Sequence, residues 1–139
     1  DISPEALLIA RDNAIRLGAA VNFQLKDALQ LAATEETFDI IVSNPPYICD
    51  SERTEMMQNV LDHEPPTALF VPDDDPLRFY RAIAEYGTTA LSHGGELYFE
   101  INDRFADEVS AMLNALGYAG TEVRTDQFGK QRFVKTMRA

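Results

Sequence analysis

Phe38-Asp39-Ile40-Ile41-Val42-Ser43-Asn44-Pro45-Pro46-Tyr47 is a short, β-branched, nearly continuous apolar run that ends on two consecutive prolines. Such a run is the pattern of a strand buried on both faces of a parallel sheet. Neither proline has an N–H to give to a ladder, so the strand stops at Ser43 and the chain leaves the sheet. Upstream, Val21 to Lys26 alternates apolar and polar as a half-buried strand does, and Asp27 closes it. Before that, Ser3 is placed to cap a helix that has Pro4 in its first turn. Leu7, Ala10, Ala14 and Leu17 recur at helical spacing, and Gly18 supplies the stop.

Downstream, residues 50 to 78 form an acidic, proline-punctuated stretch with eight acids against Arg53 and Arg78. A short helix is expected around Glu52 to Leu61. A longer helix follows from Pro76 to about Leu91, and Gly94-Gly95 makes a turn before a buried strand at Glu96 to Ile101. Asn102 or Asp103 then caps a helix carrying Ala106, Val109, Leu113 and Leu116 on one stripe, with Gly117 ending it. Two last strands, near Gly120 to Thr125 and Gln131 to Thr136, are joined by Asp126-Gln127-Phe128-Gly129, short enough for an antiparallel hairpin. Alternating helices and strands predict an α/β fold with a mostly parallel sheet and a terminal hairpin.

The chain has 139 residues, 45% hydrophobic and 25% charged, which is the composition of one globular domain. Twelve Lys and Arg against 23 Asp and Glu give a net charge of −11. That balance is a poor match for a phosphate-neutralising surface, so direct nucleic-acid binding is not expected from charge. The single Cys rules out an internal disulfide framework and a Cys-rich zinc site. No apolar run approaches the ~18 residues that span a bilayer, and no basic-then-apolar leader opens the chain. A cytoplasmic protein without a membrane partner is expected.

In open α/β sheets, ligands bind beyond the carboxyl ends of the strands. Asn44 sits at such an end. Asn44 and Pro45 each precede a proline, which pushes both toward extended geometry. The segment therefore offers carbonyl oxygens without matching N–H donors. The Asn44 side-chain oxygen and the Pro45 carbonyl can face a planar NH2 group while the Tyr47 ring stacks on its flat side. Holding an amide or amino nitrogen this way aligns its lone pair for attack. The competing reading of these four residues is a strand-terminating turn.

Other polar residues carry two readings as well. Asp27 reads equally as a turn residue and as a ligand, and Asp1 as a site acid or a solvated terminal one. Cys49 reads as a packing residue, because no His lies near it in sequence. His63 and His93 read as loop residues, and Asp73-Asp74-Asp75 as a solvated loop or helix start and not as a metal cluster.

The segment from Phe38 to Ile48 resembles the Asn-Pro-Pro-Tyr segment of S-adenosylmethionine-dependent amino-methyltransferases. On that motif alone the resemblance extends to nucleic-acid adenine methyltransferases. Asp1-Ile2-Ser3-Pro4-Glu5-Ala6-Leu7, Glu64-Pro65-Pro66-Thr67-Ala68-Leu69, Phe79-Tyr80-Arg81 and Gly129-Lys130-Gln131-Arg132 narrow it. Together they resemble the HemK/PrmC-type release-factor glutamine methyltransferases, along essentially the whole chain. The resemblance implies a Rossmann-like class I methyltransferase fold. It implies that Asp1 holds the ribose hydroxyls of S-adenosylmethionine and that Asp27 and Ala28 line its adenine. It further implies that Asn44 bridges cofactor and substrate while Asn44, Pro45, Pro46 and Tyr47 hold a glutamine amide. The reaction would be direct methyl transfer to that amide nitrogen, on the Gly-Gly-Gln loop of a peptide-chain release factor, with no metal.

No G-x-G-x-G loop occurs in residues 1–139, although the family carries one after its first strand and a helical domain before it. The expectation is a partial methyltransferase domain, truncated on its N-terminal side and starting at the end of the second strand. The family's first strand lies between the second and the fourth, so its absence would leave open edges. Alone, the 139 residues are expected to bind cofactor weakly or not at all and to be inactive. Two other functions stay open: adenine-amino methylation of DNA or RNA, and a non-catalytic truncated remnant.

Overall fold

A computed structural model describes residues 1–55 and 65–139. Helix α1, Pro4–Leu17, begins as its sequence dictates: the Ser3 hydroxyl accepts from the Ala6 N–H at 3.1 Å. It ends at Gly18 in the left-handed region, φ 64°. Residues 28–30 form a 3-10 turn that packs against α3 (Arg78–Ala90). The remaining elements are β1 (Phe38–Ser43), β2 (Ile48–Cys49), a 3-10 turn at 50–55, α2 (Pro66–Leu69), β3 (Phe70–Val71), β4 (Leu91–Glu100), α4 (Ala106–Ala115), β5 (Tyr118–Thr125) and β6 (Gln131–Arg138). His63 and most of the expected helix at 52–61 lie outside the described residues.

The main sheet has the order β1-β4-β6-β5. β1 runs parallel to β4, with Ile41 opposite Leu97 and Ser43 opposite Phe99, while β6 is antiparallel to both β4 and β5. The α/β class and the terminal hairpin are as read from sequence, but this sheet is mixed. A second parallel pair, β2 with β3, is only two residues long, too short to leave a pattern in the sequence.

One face of the sheet makes the core. Leu97 and Phe99 of β4, and Ile101 just past its end, alternate inward and meet Tyr80, Ile83 and Ala84 of α3 and Val109 and Leu113 of α4. Tyr80 packs edge-on against Phe99, ring centroids 5.2 Å apart, the favourable aromatic geometry. The Tyr118 hydroxyl donates to the Ala84 carbonyl at 2.7 Å, beside Gly87. A side chain at Gly87 would strike that hydroxyl.

Three expectations need correction. The first concerns β1, which is not buried on both faces: Ile40 is 56% and Val42 75% exposed. Among the described residues β1 pairs on one edge only, with β4, and nothing covers the face that carries these two side chains. The second concerns Val21 to Lys26, which joins no sheet. The Lys26 N–H donates to the Asp1 carbonyl at 3.0 Å, and the Asp1 amino group to the Gln24 carbonyl at 3.1 Å. That is the spacing of one parallel bridge, between Asp1 and Leu25, with no further partner among the described residues.

The last concerns Gly94-Gly95, which make a bulge inside β4 rather than a turn before it. Between the pairs Phe38↔Leu91 and Ile40↔Glu96, β4 advances five residues while β1 advances two. Gly94 takes φ 78° there, and a Cβ on Gly95 would lie 2.9 Å from the Ser92 carbonyl oxygen. His93 sits exposed in this bulge. Among the described residues no helix is long and apolar enough to cross a membrane.

Gly87→Ala is expected to lower stability by about 1–2 kcal/mol in a urea melt. Overpacking and the displaced Tyr118 bond outweigh the ~1 kcal/mol that alanine gains in helix propensity.

Candidate active site

The carboxyl ends of β1 and β4 lie side by side because the strands are parallel neighbours in register. From β1 the chain passes into Asn44-Pro45-Pro46-Tyr47, with Asn44 exposed, Pro45 buried and Tyr47 half-buried. From β4 it passes through Glu100 and Ile101 to Asn102. These two strand ends are hydrogen-bonded to each other at both extremities of Tyr47. The Tyr47 hydroxyl donates to Glu100 Oε1 at 2.8 Å, and Asn102 Nδ2 donates to the Tyr47 carbonyl at 3.1 Å.

Asn102 is 5% exposed, so each of its polar atoms needs a partner. Its second amide hydrogen goes to Glu52 Oε2 at 2.9 Å, its side-chain oxygen accepts from the Arg104 N–H, and its own N–H donates to the Tyr80 hydroxyl. Glu52 Oε2 also accepts from the Cys49 N–H at 2.9 Å, and Glu52 Oε1 lies 3.4 Å from Arg104 Nη1. The 3-10 turn after β2 is thereby fastened beneath the Asn44–Tyr47 segment.

These contacts set the charge states. Burial and then the Glu100 hydrogen bond push Tyr47 up to about 12, with Arg132 opposing them. The phenol is neutral at ordinary pH. For Glu52, burial acts to raise the carboxyl, but the donors from Cys49, Asn102 and Arg104 outweigh it and hold the group below the usual glutamate value. Cys49 is buried, and desolvation followed by Glu52 raises its thiol to about 11, which suits packing and not nucleophilic attack.

Asp27 caps the 3-10 turn: its carboxylate accepts from the Leu29 N–H at 2.9 Å and from Gln30 Nε2 at 2.9 Å. Ala28 packs against the core. Asp1 has one carboxylate oxygen on the Ser3 N–H at 2.8 Å, and its bridge to Leu25 sets it near Asp27 along the chain's extended segment. Among the described residues no hydrogen bond joins Asn44 to Asp1 or Asp27. The structure thus gathers two groups, Asn44 to Tyr47 with Glu100 and Asn102, and Asp1 with Asp27. The Asn44 amide and one Asp1 oxygen have no hydrogen-bond partner among the described residues. Both are open to a ligand bearing hydroxyl and amino groups. Asp73 is taken by Ser51 and Asp75 by Arg81. No group of three His, Cys, Asp or Glu among the described residues is placed to hold a metal ion.

Glu52, Glu100 and Asn102 were not singled out from the sequence as site residues. Glu100 had a signal, a charge inside the apolar run Leu97 to Ile101. Asn102 follows the second parallel strand as Asn44 follows the first.

A family model described as an RMKL-like methyltransferase domain matches residues 1–63. A release factor glutamine methyltransferase of Bacteroides thetaiotaomicron is 50% identical over 139 residues, covering 99% of this chain and 50% of that protein. One from Flavobacterium psychrophilum is 42% identical over 135 residues, covering 97% and 47%. The chain spans about half the length of these curated relatives. Among solved structures, a methyltransferase from Pyrococcus furiosus superposes with a TM-score of 0.64 at 17% identity, over 100% of this chain and 60% of that one. The N-methyltransferase NodS of Bradyrhizobium japonicum, in complex with S-adenosyl-L-homocysteine, does so at 0.57 and 18%, over 99% and 63%. These structural likenesses give the fold.

Asn102→Ala leaves the Tyr47 carbonyl and one Glu52 bond without a donor and is expected to cost about 1–3 kcal/mol in urea denaturation. At alkaline pH, Tyr47 and Tyr118 are both raised to about 12 from the ordinary 10.0 of a tyrosine. Their neutral forms stabilise the fold fully below pH 10, and that contribution is lost as pH rises through 12. Circular dichroism melts between pH 9 and 12 should show this fall, made shallower by Tyr47→Phe.

Proposed function

From a chain homologous over nearly its whole length to the release factor glutamine methyltransferases, we propose the acceptor-binding part of an S-adenosylmethionine-dependent protein-glutamine methyltransferase. The observation that carries this reading is the position of Asn44-Pro45-Pro46-Tyr47. It stands at the carboxyl end of a strand in a parallel pair, where α/β sheets bind ligands. Residues 1–139 are read as part of one methyltransferase domain.

S-adenosylmethionine, when bound, supplies an electrophilic methyl group on sulfur. Asp1 is assigned to its ribose hydroxyls and Asp27 with Ala28 to its adenine edge. The Asp27 cap fits a role in which the carboxylate shapes the turn and Ala28 meets the base. No Gly-rich loop for the methionine end lies in residues 1–139. Asn44 accepts from the substrate amide, the Pro45 carbonyl accepts its second hydrogen, and the Tyr47 ring covers its plane. Two acceptors on one NH2 draw electron density onto the nitrogen and fix its direction. Asn44 and the Pro45 carbonyl would hold the nitrogen lone pair toward the methyl group that the bound cofactor would supply, the carbon–sulfur electron pair leaving with sulfur and one nitrogen proton passing to solvent. The acceptor is read as the glutamine of a Gly-Gly-Gln loop in a peptide-chain release factor, and the compartment as the cytoplasm.

The test uses the native polypeptide that contains residues 1–139, with tritiated S-adenosylmethionine and either a release factor or adenine-containing DNA as acceptor. Label on the release factor, reduced about a hundredfold or more in kcat/KM by Asn44→Ala, is expected. Label on DNA adenine alone would overturn the glutamine reading.

A further inference from the structure

Tyr47 is held at both ends by one neighbouring strand. Its backbone carbonyl is fixed by Asn102 and its hydroxyl by Glu100, two residues that flank Ile101 at the exit from β4. A ring fastened at its backbone alone still turns about its side-chain torsions. A ring fastened at its hydroxyl as well has its long axis, from Cβ to the hydroxyl oxygen, fixed in direction. Ile101 between them is fully buried, and its N–H donates to the Arg132 carbonyl at 2.8 Å. That bond locks the strand exit to β6. Arg132 is itself oriented by Asp126, Nε to Oδ2 3.7 Å. Glu100 is half-buried on the sheet face opposite the core, paired in register with Phe133. Its carboxylate has Tyr47 as its only side-chain hydrogen-bond donor among the described residues.

We propose that Glu100 is a positioning residue for acceptor binding, acting only through the Tyr47 hydroxyl to fix the long axis, and so the place, of the ring against which the planar acceptor amide lies. This rests on the methyl-transfer reading above. Its physical content is orientation: a ring that tips away from the acceptor plane loses stacking, and the amide nitrogen loses its line of attack. Burial and the carboxylate together keep the phenol protonated, so the O–H that makes the bond is present throughout the neutral range.

The experiment is a double-mutant cycle in the native polypeptide, with a release factor as methyl acceptor. Glu100→Asp keeps the charge but draws the carboxylate back by one methylene, and Glu100→Gln keeps an acceptor oxygen at the same reach. Glu100→Asp is expected to lower kcat/KM for the acceptor about ten- to hundredfold, with KM for S-adenosylmethionine unchanged. Glu100→Gln should retain activity within about threefold. In a Tyr47→Phe background, Glu100→Asp should cost nothing further. A spectroscopic readout accompanies the kinetics: ultraviolet titration of the tyrosine that Tyr47→Phe removes should move to lower pH in Glu100→Asp.

Equal loss from Glu100→Asp with and without the Tyr47 hydroxyl would overturn the inference, because Glu100 would then act by another route. So would full activity in Glu100→Asp. A wild-type polypeptide that methylates neither release factor nor DNA would overturn the methyl-transfer reading itself, and the inference with it.

Discussion

The parallel pairing of β1 with β4 is the constraint from which the site follows. Parallel neighbours point the same way, so their carboxyl ends emerge together, and the register Ser43↔Phe99 sets the two exits level. On the β1 side the prolines forbid any continuation of the ladder. On the β4 side the sheet continues through β6 as far as Ile101, whose N–H still finds a carbonyl. One chain leaves early and the other late. The short Asn44–Tyr47 segment therefore crosses the top of β4, within reach of Glu100 and Asn102.

A polar segment at that position is stable only if its unpaired groups find partners. Two prolines leave carbonyls without reciprocal donors, and where these are buried the protein must supply the partners. Asn102 answers this with two amide hydrogens, one to Tyr47 and one to Glu52. Glu52 in turn takes the Cys49 N–H, so the turn that follows the motif is tied to the strand exit that supports it. Among the described residues no buried side-chain polar atom lacks a hydrogen-bond partner. The Asn44 amide is exposed and has no hydrogen-bond partner among the described residues, which leaves it open to a ligand.

The exposed apolar face of β1 has the same origin. A strand rich in β-branched residues buries them only on the faces that other elements cover. Here one edge pairs with β4 and one face meets the core, through Ile41. Ile40 and Val42 lie on the other face with Tyr98 and Lys135. Burial follows neighbours, and composition alone cannot count them.

Local chemistry was legible in the sequence. Ser3, Pro4 and Gly18 fixed the bounds of α1. The stripe of α4 was readable from its spacing, and Asp126 with Gly129 announced the hairpin: the Asp126 carboxylate does accept from the Phe128 and Lys130 N–H groups. Pro45 and Pro46 marked where a strand stops and where polar chemistry begins. Each of these signals acts within a few residues, where sequence spacing and spatial spacing coincide. What only the tertiary structure decided was which distant residues meet there. Tyr47 and Glu100 are 53 residues apart, and Glu52 and Asn102 are 50 apart. The same is true of the lone bridge at Leu25 and the uncovered face of β1, since a strand pattern states a need for partners and only the assembled sheet says whether they are supplied.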